Sequence, residues 1–401
     1  MPVLLVTILL SCASIEAVPE AYRRPAASPD SGVESSGDRV QNLVLITWDT
    51  TRRDHLPVYG YPLNTTPNLA AWAEEAVVFD RHFSTAPWTK PAMTSVFTSL
   101  LPVEHGVVEW EHALAEDVWT LPLELQATGM RTHAVVSHNA FRPQKNNFHL
   151  GFDVFDTSVF AGHNPSEIRT STAVADLAVE ALGSLDSFDA PFFLWVHFFD
   201  PHSDYLDHDT HVFGSRDIDL YNGEIAHTDA QMARLLAALR DRDDTAVVYL
   251  VDHGEEFGDH GGTEHTSTLY NELVRVPFIA KIPGVEPHRV QRSTSHLEVA
   301  PSILSWLDLE PVESFTGRAL PIYDGQIYLE TDDRVFSETE KGADKRGLVS
   351  WPYKIIRDLD EDTWEMFDIS QDPGEQTDLA EVETETFALL KGILEERYPP
   401  E

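Results

Sequence analysis

Three stretches of the chain collect acids and imidazoles at the ends of apolar runs. "VLITWDTTRRDHL" ends its run at Asp49, "WVHFFDPHSDY" carries Asp200 and His202, and "VVYLVDHGEEFGDHGGTEHTSTLY" carries Asp252, His253, His260 and His265. Carboxylate and imidazole together suit Zn²⁺ or Mn²⁺, whereas an all-oxygen set suits Ca²⁺ or Mg²⁺. One divalent ion is therefore the expected cofactor, Mn²⁺ or Zn²⁺ ahead of Ca²⁺ or Mg²⁺. Adjacent Asp252 and His253 reach one ion only from an irregular loop, and the glycines of "DHGEEFGDHGG" allow one. A lone Asp at a strand end is usually a cap and a lone His usually solvated. Three such ends together are what point to a site.

A fourth stretch, "STAPWTKPAMTS" at 84–95, offers a nucleophile. Thr89 lies between Pro87 and Pro91, and Pro91 fits the first turn of a helix predicted over 91–100. Helix starts carry unpaired N–H groups and the positive end of the dipole, which suits phosphate or sulfate. The hydroxyl is placed either to attack a tetrahedral anion beside a metal or to cap its helix. On this stretch alone the cap is the simpler reading.

The apolar runs at 42–48, 132–137, 191–199, 245–251 and 276–282 are short, continuous and rich in branched and aromatic residues, so they predict buried strands. Helices are predicted over 66–76, 91–100, 120–129, 168–185, 222–241 and 296–307. This alternation implies an α/β fold, a mainly parallel central sheet sandwiched by helices. In such sheets ligands bind beyond the carboxyl ends of the strands, where the acids and histidines lie. After residue 330, "RVFSETE", "GLVSWPYKIIRDL" and "TWEMFDIS" predict a small antiparallel sheet, closed by a helix in "VETETFALLKGILEERY".

The chain has 401 residues, 42% apolar, with 28 basic against 67 acidic residues and a net charge of −39. A surface this acidic repels nucleic acid and anionic lipid. An anionic substrate then needs a local positive centre such as a metal. The opening "MPVLLVTILLSCAS" is too short to span a bilayer and reads as part of an export signal. Its Cys12, the only cysteine, ends a lipobox-like segment, which implies an exported, periplasmic or cell-surface protein with a lipid anchor as one option. The expected organisation is a signal segment at 1–12, a Pro/Ser/Ala/Gly-rich linker at 13–39, a catalytic domain at 40–330 and a C-terminal subdomain at 331–401.

Taken in order, "NLVLITWDTTRRDHLPVYGY", "STAPWTKPAMTSVFTSLLPVEHGV", "FFDPHSDY", "DHGEEFGDHGGTEHTSTLYNELVRVPFI" and "MFDISQDPGEQTDLA" resemble five segments of the sulfatase family, within the alkaline phosphatase superfamily. The resemblance implies a metal held by Asp49, Thr89, Asp252 and His253, with Thr89 as nucleophile. It implies that His202 and His265 hold the anion or protonate the leaving oxygen, and that His138 contacts the substrate. Lys90 and Arg52 would add positive charge. The chain departs from the family pattern Cys/Ser-x-Pro-Ser-Arg, reading Thr89-Lys90-Pro91-Ala92-Met93. Threonine cannot become formylglycine, so none is expected. His253 stands where many sulfatases have Asn or Gln, and His265 where many have Lys. The expected activity is hydrolysis of a sulfate or phosphate ester of a sugar, lipid or small molecule. The alternatives are a phosphodiesterase or phosphotransferase of the same superfamily, or a non-catalytic anion-binding lipoprotein.

Overall fold

The computed structural model describes residues 40–143, 146–160, 163–323, 325–327 and 332–399. The apolar N-terminal run, Cys12 and the linker lie outside these residues. The main sheet has eight strands: β1 (Asn42–Trp48), β2 (Val77–Phe83), β3 (Arg131–Val136), β4 (Val154–Asp156), β5 (Phe192–Phe198), β6 (Thr245–Val251), β7 (Arg275–Lys281) and β8 (Arg289–Ser295). Their spatial order is β8-β2-β7-β6-β1-β5-β3-β4. Only β7 runs antiparallel to its neighbours. At the centre β1 pairs in parallel with β5 on one side and β6 on the other.

All seven residues of β1, β5 and β6 are buried, as expected of strands covered on both faces. Alternate side chains feed two core layers. Leu43 and Leu45 pack toward α2 (Thr89–Thr98), α3 (Leu121–Ala127) and α6 (Val299–Trp306) through Met93, Phe97, Leu125 and Ile303. Val44 and Ile46 face α1 (Pro67–Ala73), α4 (Ser171–Leu185) and α5 (Asp217–Ala238) through Leu69, Val174, Leu182 and Ile225. The result is the helix–sheet–helix sandwich that the alternation predicts.

A second, antiparallel sheet follows: β9 (Val335–Thr339), β10 (Lys345–Ser350), β11 (Tyr353–Asp358) and β12 (Thr363–Asp368), each paired with the next. One face takes Leu390 and Leu394 of α7 (Thr384–Arg397) against Leu348, Ile355 and Met366. The other packs Val349, Ile356 and Phe367 on Phe83, Leu269 and Leu273 of the main body.

Strands β2, β4 and β8 were not among the strands expected from the sequence. Asp80, Arg81 and His82 break the apolar pattern of β2. β8 reads "RVQRSTS", and as the edge strand it buries only part of its length. The two cover their polar residues together: Arg289 Nε donates to Asp80 at 3.1 Å, and Gln291 bonds the same carboxylate.

Candidate active site

The strand ends meet as the topology requires. The Asp49 N–H donates to the Phe198 carbonyl at 3.0 Å, which ties the end of β1 to the end of β5. Thr50 then turns the chain at φ +44°, a left-handed conformation costly for a β-branched residue. Tyr221 of α5 holds that turn, donating to the Thr50 carbonyl (2.6 Å) and accepting from the Arg52 N–H (2.7 Å). The Thr50 N–H reaches Asp252 Oδ1 at 3.3 Å, which joins the ends of β1 and β6. Beyond His253 the chain must pass against the Glu272 carbonyl. A side chain on Gly254 would meet that oxygen at 1.8 Å, so only glycine fits.

Helix α2 begins at Thr89 itself, two residues earlier than predicted, and Trp88 is its N-cap. The Thr89 hydroxyl turns away from its own helix into the cluster. Its Oγ1 is 3.2 Å from His253 Nε2 and 3.4 Å from Asp49 Oδ1. Ligand atoms of Asp49, Asp252 and His253 all lie within 4.8 Å of one another, and those of Asp49, His138 and His202 form a second such trio.

The charges of this pocket do not balance among themselves. Asp49 and Asp252 are both fully buried. Burial opposes ionisation of Asp49, but the imidazoles of His138 and His197 outweigh it and hold this carboxylate well below the usual range. Asp252 goes the other way: burial and the Asp49 charge push it well above. Two such carboxylates cannot both ionise without a cation. Asp252 Oδ2 is buried with no hydrogen-bond partner among the described residues. His253 donates Nδ1–H to the Gly254 carbonyl at 2.9 Å, which leaves the Nε2 lone pair facing the cluster. Burial holds that imidazole neutral. Two carboxylates, a neutral imidazole and a hydroxyl with an orphaned acceptor among them fit a divalent cation.

The remaining predicted residues divide into two groups. His138 accepts the Ala140 N–H at Nδ1 (2.7 Å), so its Nε2–H faces Asp49 Oδ2 at 3.5 Å. Burial pushes its pKa down to about 3. His202 donates Nδ1–H to the Ser203 carbonyl (2.8 Å), and its ring centroid lies 5.1 Å from that of His265. His265 donates Nδ1–H to Glu255 at 2.9 Å and lies 4.5 Å, centroid to centroid, from His253. Burial opposes its protonation, but the Glu255 carboxylate prevails and raises its pKa.

Lys90, Arg52, Asp200 and His260 turn elsewhere. Lys90 donates to the carbonyls of Trp110 (2.6 Å) and His112. Arg52 is clasped by Asp54 (2.8 Å) and Asp259 (2.7 Å). Asp200 accepts the Ser171 N–H (2.9 Å) and hydroxyl at the start of α4. His260 pairs with Glu272 at 2.6 Å.

Three residues at the site were not singled out from the sequence. His197, next to Thr47 in register, places Nε2 3.3 Å from Asp49 Oδ2. The signal was a lone imidazole inside an otherwise apolar strand. Glu255, two residues past His253, orients His265, and Tyr205 donates to its other oxygen at 2.9 Å.

The fold is a three-layer α/β sandwich, and beyond its strand ends two buried carboxylates, an imidazole and a buried hydroxyl come together in an arrangement that fits a divalent cation. The sequence matches the Sulfatase family over residues 41–309, and the chain belongs to that family. It is similar to the uncharacterized sulfatase YidJ of Escherichia coli (strain K12), 21% identical over 356 residues that cover 69% of each chain. Its structure resembles an enzyme solved in complex with its substrate D-glucosamine-2-N,6-O-disulfate, with a TM-score of 0.77, 18% identity, and coverage of 90% of this chain and 97% of that one. It also resembles the phosphonate monoester hydrolase of Agrobacterium radiobacter, with a TM-score of 0.73, 20% identity, and coverage of 89% and 95%.

Proposed function

We propose that the chain hydrolyses a sulfate or phosphate ester by in-line attack of Thr89 Oγ1 on the tetrahedral sulfur or phosphorus, and that phosphate esters are the better substrates. The observation that carries this reading is the place of Thr89 Oγ1, at a helix start and within 3.2 Å of His253 Nε2 and 3.4 Å of Asp49 Oδ1. In this reading Asp49, Thr89, Asp252 and His253 hold one divalent ion. Such an ion, when bound, supplies Lewis acidity that lowers the pKa of a neighbouring hydroxyl and offsets charge on the ester oxygens.

The chain's own groups do the rest. In this scheme the positive end of α2, which begins at Thr89, faces the anion. Thr89 Oγ1, its proton shed to solvent, bonds to the central atom as the bond to the leaving oxygen breaks. The departing oxygen takes the proton of His265 Nε2, which the Glu255 carboxylate keeps available. Neutral His265 then takes a proton from water as that water attacks the central atom and releases Thr89. His202 and His138 line the anion's other side in this scheme.

The preference for phosphorus rests on Thr89. A formylglycine hydrate expels sulfate from its own carbon through its second hydroxyl, a route closed to a threonine ester. Met93, where the family pattern has Arg, is buried in the apolar core and gives a formylglycine no support. The likeness to a phosphonate monoester hydrolase supports chemistry at phosphorus on this scaffold. The likeness to the glucosamine-disulfate complex supports a sugar as the alcohol.

The test is turnover of nitrophenyl phosphate, bis-nitrophenyl phosphate and nitrophenyl sulfate with added Mn²⁺ or Zn²⁺, each with a Thr89→Ala control. Phosphate-ester turnover that disappears in Thr89→Ala supports the reading. Turnover that survives the substitution overturns Thr89 as nucleophile.

A further inference from the structure

The turn joining β9 to β10, residues 340–344, reaches from the C-terminal sheet to the mouth of the site. Its neighbour Thr339 donates to the Thr266 carbonyl at 2.7 Å, next to His265. Gly342, at φ +78°, passes over Ser267, where an added Cβ would lie 3.4 Å from that side chain. The acids around the turn are already engaged. Arg346 binds Glu340 at 2.9 Å and also Asp344, and stands 3.7 Å from Glu338.

Lys341, at the tip, is not engaged in this way. Its Nζ lies 4.2 Å from the centroid of the Trp88 ring, one residue before the nucleophile, and 5.7 Å from that of Trp110. Among the described residues no carboxylate forms an ion pair with it. The nearest acidic influence is from Glu109 and Glu111, both exposed on the loop that carries Trp110. The half-buried ammonium is disfavoured by burial, although the rest of the chain carries a large excess of negative charge. Lys90, next to Thr89 in the chain, and Arg52 are bound to protein oxygens. The two indoles offer flat apolar walls on which Lys341 rests.

We propose that Lys341 binds a second anionic group on the substrate, a carboxylate, sulfate or phosphate carried by the alcohol beside the reacting ester. The inference rests on the ester-hydrolase reading above. It makes the C-terminal sheet a part of substrate selection. Lys341 acts on affinity and takes no part in the bond-breaking step.

The experiment compares phenyl phosphate with 4-carboxyphenyl phosphate on the metal-loaded full chain and on Lys341→Gln and Lys341→Arg, following phosphate release and calorimetric binding. In Lys341→Gln the KM for the carboxylated ester rises about two- to fivefold, as loss of one partly screened charge pair implies. The kcat for both esters and the KM for phenyl phosphate stay put, and Lys341→Arg restores most of the loss. An equal change for the two esters, or none, means that Lys341 only balances Glu109 and Glu111, and overturns the inference while leaving the hydrolase reading intact. Failure of the parent chain to bind or turn over either ester overturns both.

Discussion

Between Asp252 and Glu272 the chain builds two clusters of acids and histidines, and they differ in how their charges are met. In the second, Glu256 accepts the Gly262 N–H at 3.0 Å, His260 pairs with Glu272 at 2.6 Å and stacks on Tyr270 at 3.6 Å, and Lys354 pairs with Glu375 at 2.7 Å. Each carboxylate has a donor, and the result is a clamp that fixes the loop to the C-terminal sheet. In the first, Asp49 and Asp252 are buried side by side, Asp252 Oδ2 has no partner among the described residues, and a neutral imidazole and a hydroxyl point at them. The residue types are alike in the two clusters. What separates a site from a brace is the missing counter-charge, since buried charges left uncompensated are costly.

The largest effect is expected at Asp252. Asp252→Asn should lose the bound metal, measured as stoichiometry on the purified chain, and should lower ester hydrolysis by about 10³-fold. The same variant stripped of metal should melt no lower than the stripped parent. Its carboxyl is pushed up by burial and by Asp49, so it opposes folding once the pH exceeds its unfolded value, and Asn removes that penalty. Retained metal in Asp252→Asn would show that the first cluster needs no counter-charge from outside.

Next in size is Glu255→Gln, which should lower kcat by about 10²-fold through loss of the proton held at His265 while leaving metal content unchanged. A drop in metal content instead would make Glu255 part of the first cluster's charge. In the brace, Glu272→Gln should cost ~2 kcal/mol of unfolding free energy, read by denaturant titration, with kcat unaltered.

The smallest effect is one of pH. Burial alone would lower the pKa of His260, but Glu272 and Glu375 raise it above its ordinary 6.5. A raised imidazole stabilises fully below its unfolded pKa, and that contribution is lost as the pH climbs through the folded value. Melting temperature should therefore fall across that interval in the parent and fall less in His260→Gln. Identical slopes would remove His260 from the brace.

Much of this arrangement can be read from the amino-acid order, for physical reasons. β1, β5 and β6 are buried on both faces, so their runs are mostly apolar and the Asp that follows each one stands out. Three-layer packing then brings those ends together. β2 and β8 escape this reading because Asp80, Arg289 and Gln291 satisfy one another only across the sheet. His197 hides inside a strand, and the Tyr205–Glu255–His265 relay exists only once a loop and a strand end meet. Arg52, three residues from Asp49, suggests an anion-binding charge until Asp259, 207 positions away, takes its guanidinium. Whether Thr89 caps its helix or faces the cluster turns on where α2 begins. A shift of two residues decides it.

The most direct test of Thr89 as nucleophile is intact-protein mass spectrometry of the metal-loaded chain, acid-quenched during turnover of nitrophenyl phosphate. With Thr89 as nucleophile, a species heavier by one phosphoryl group accumulates, mapping to the peptide that holds Thr89 and absent in Thr89→Ala. Steady turnover with no such species, and at an undiminished rate in Thr89→Ala, would contradict it and return Thr89 to the structural role of a helix residue beside a site where water attacks directly.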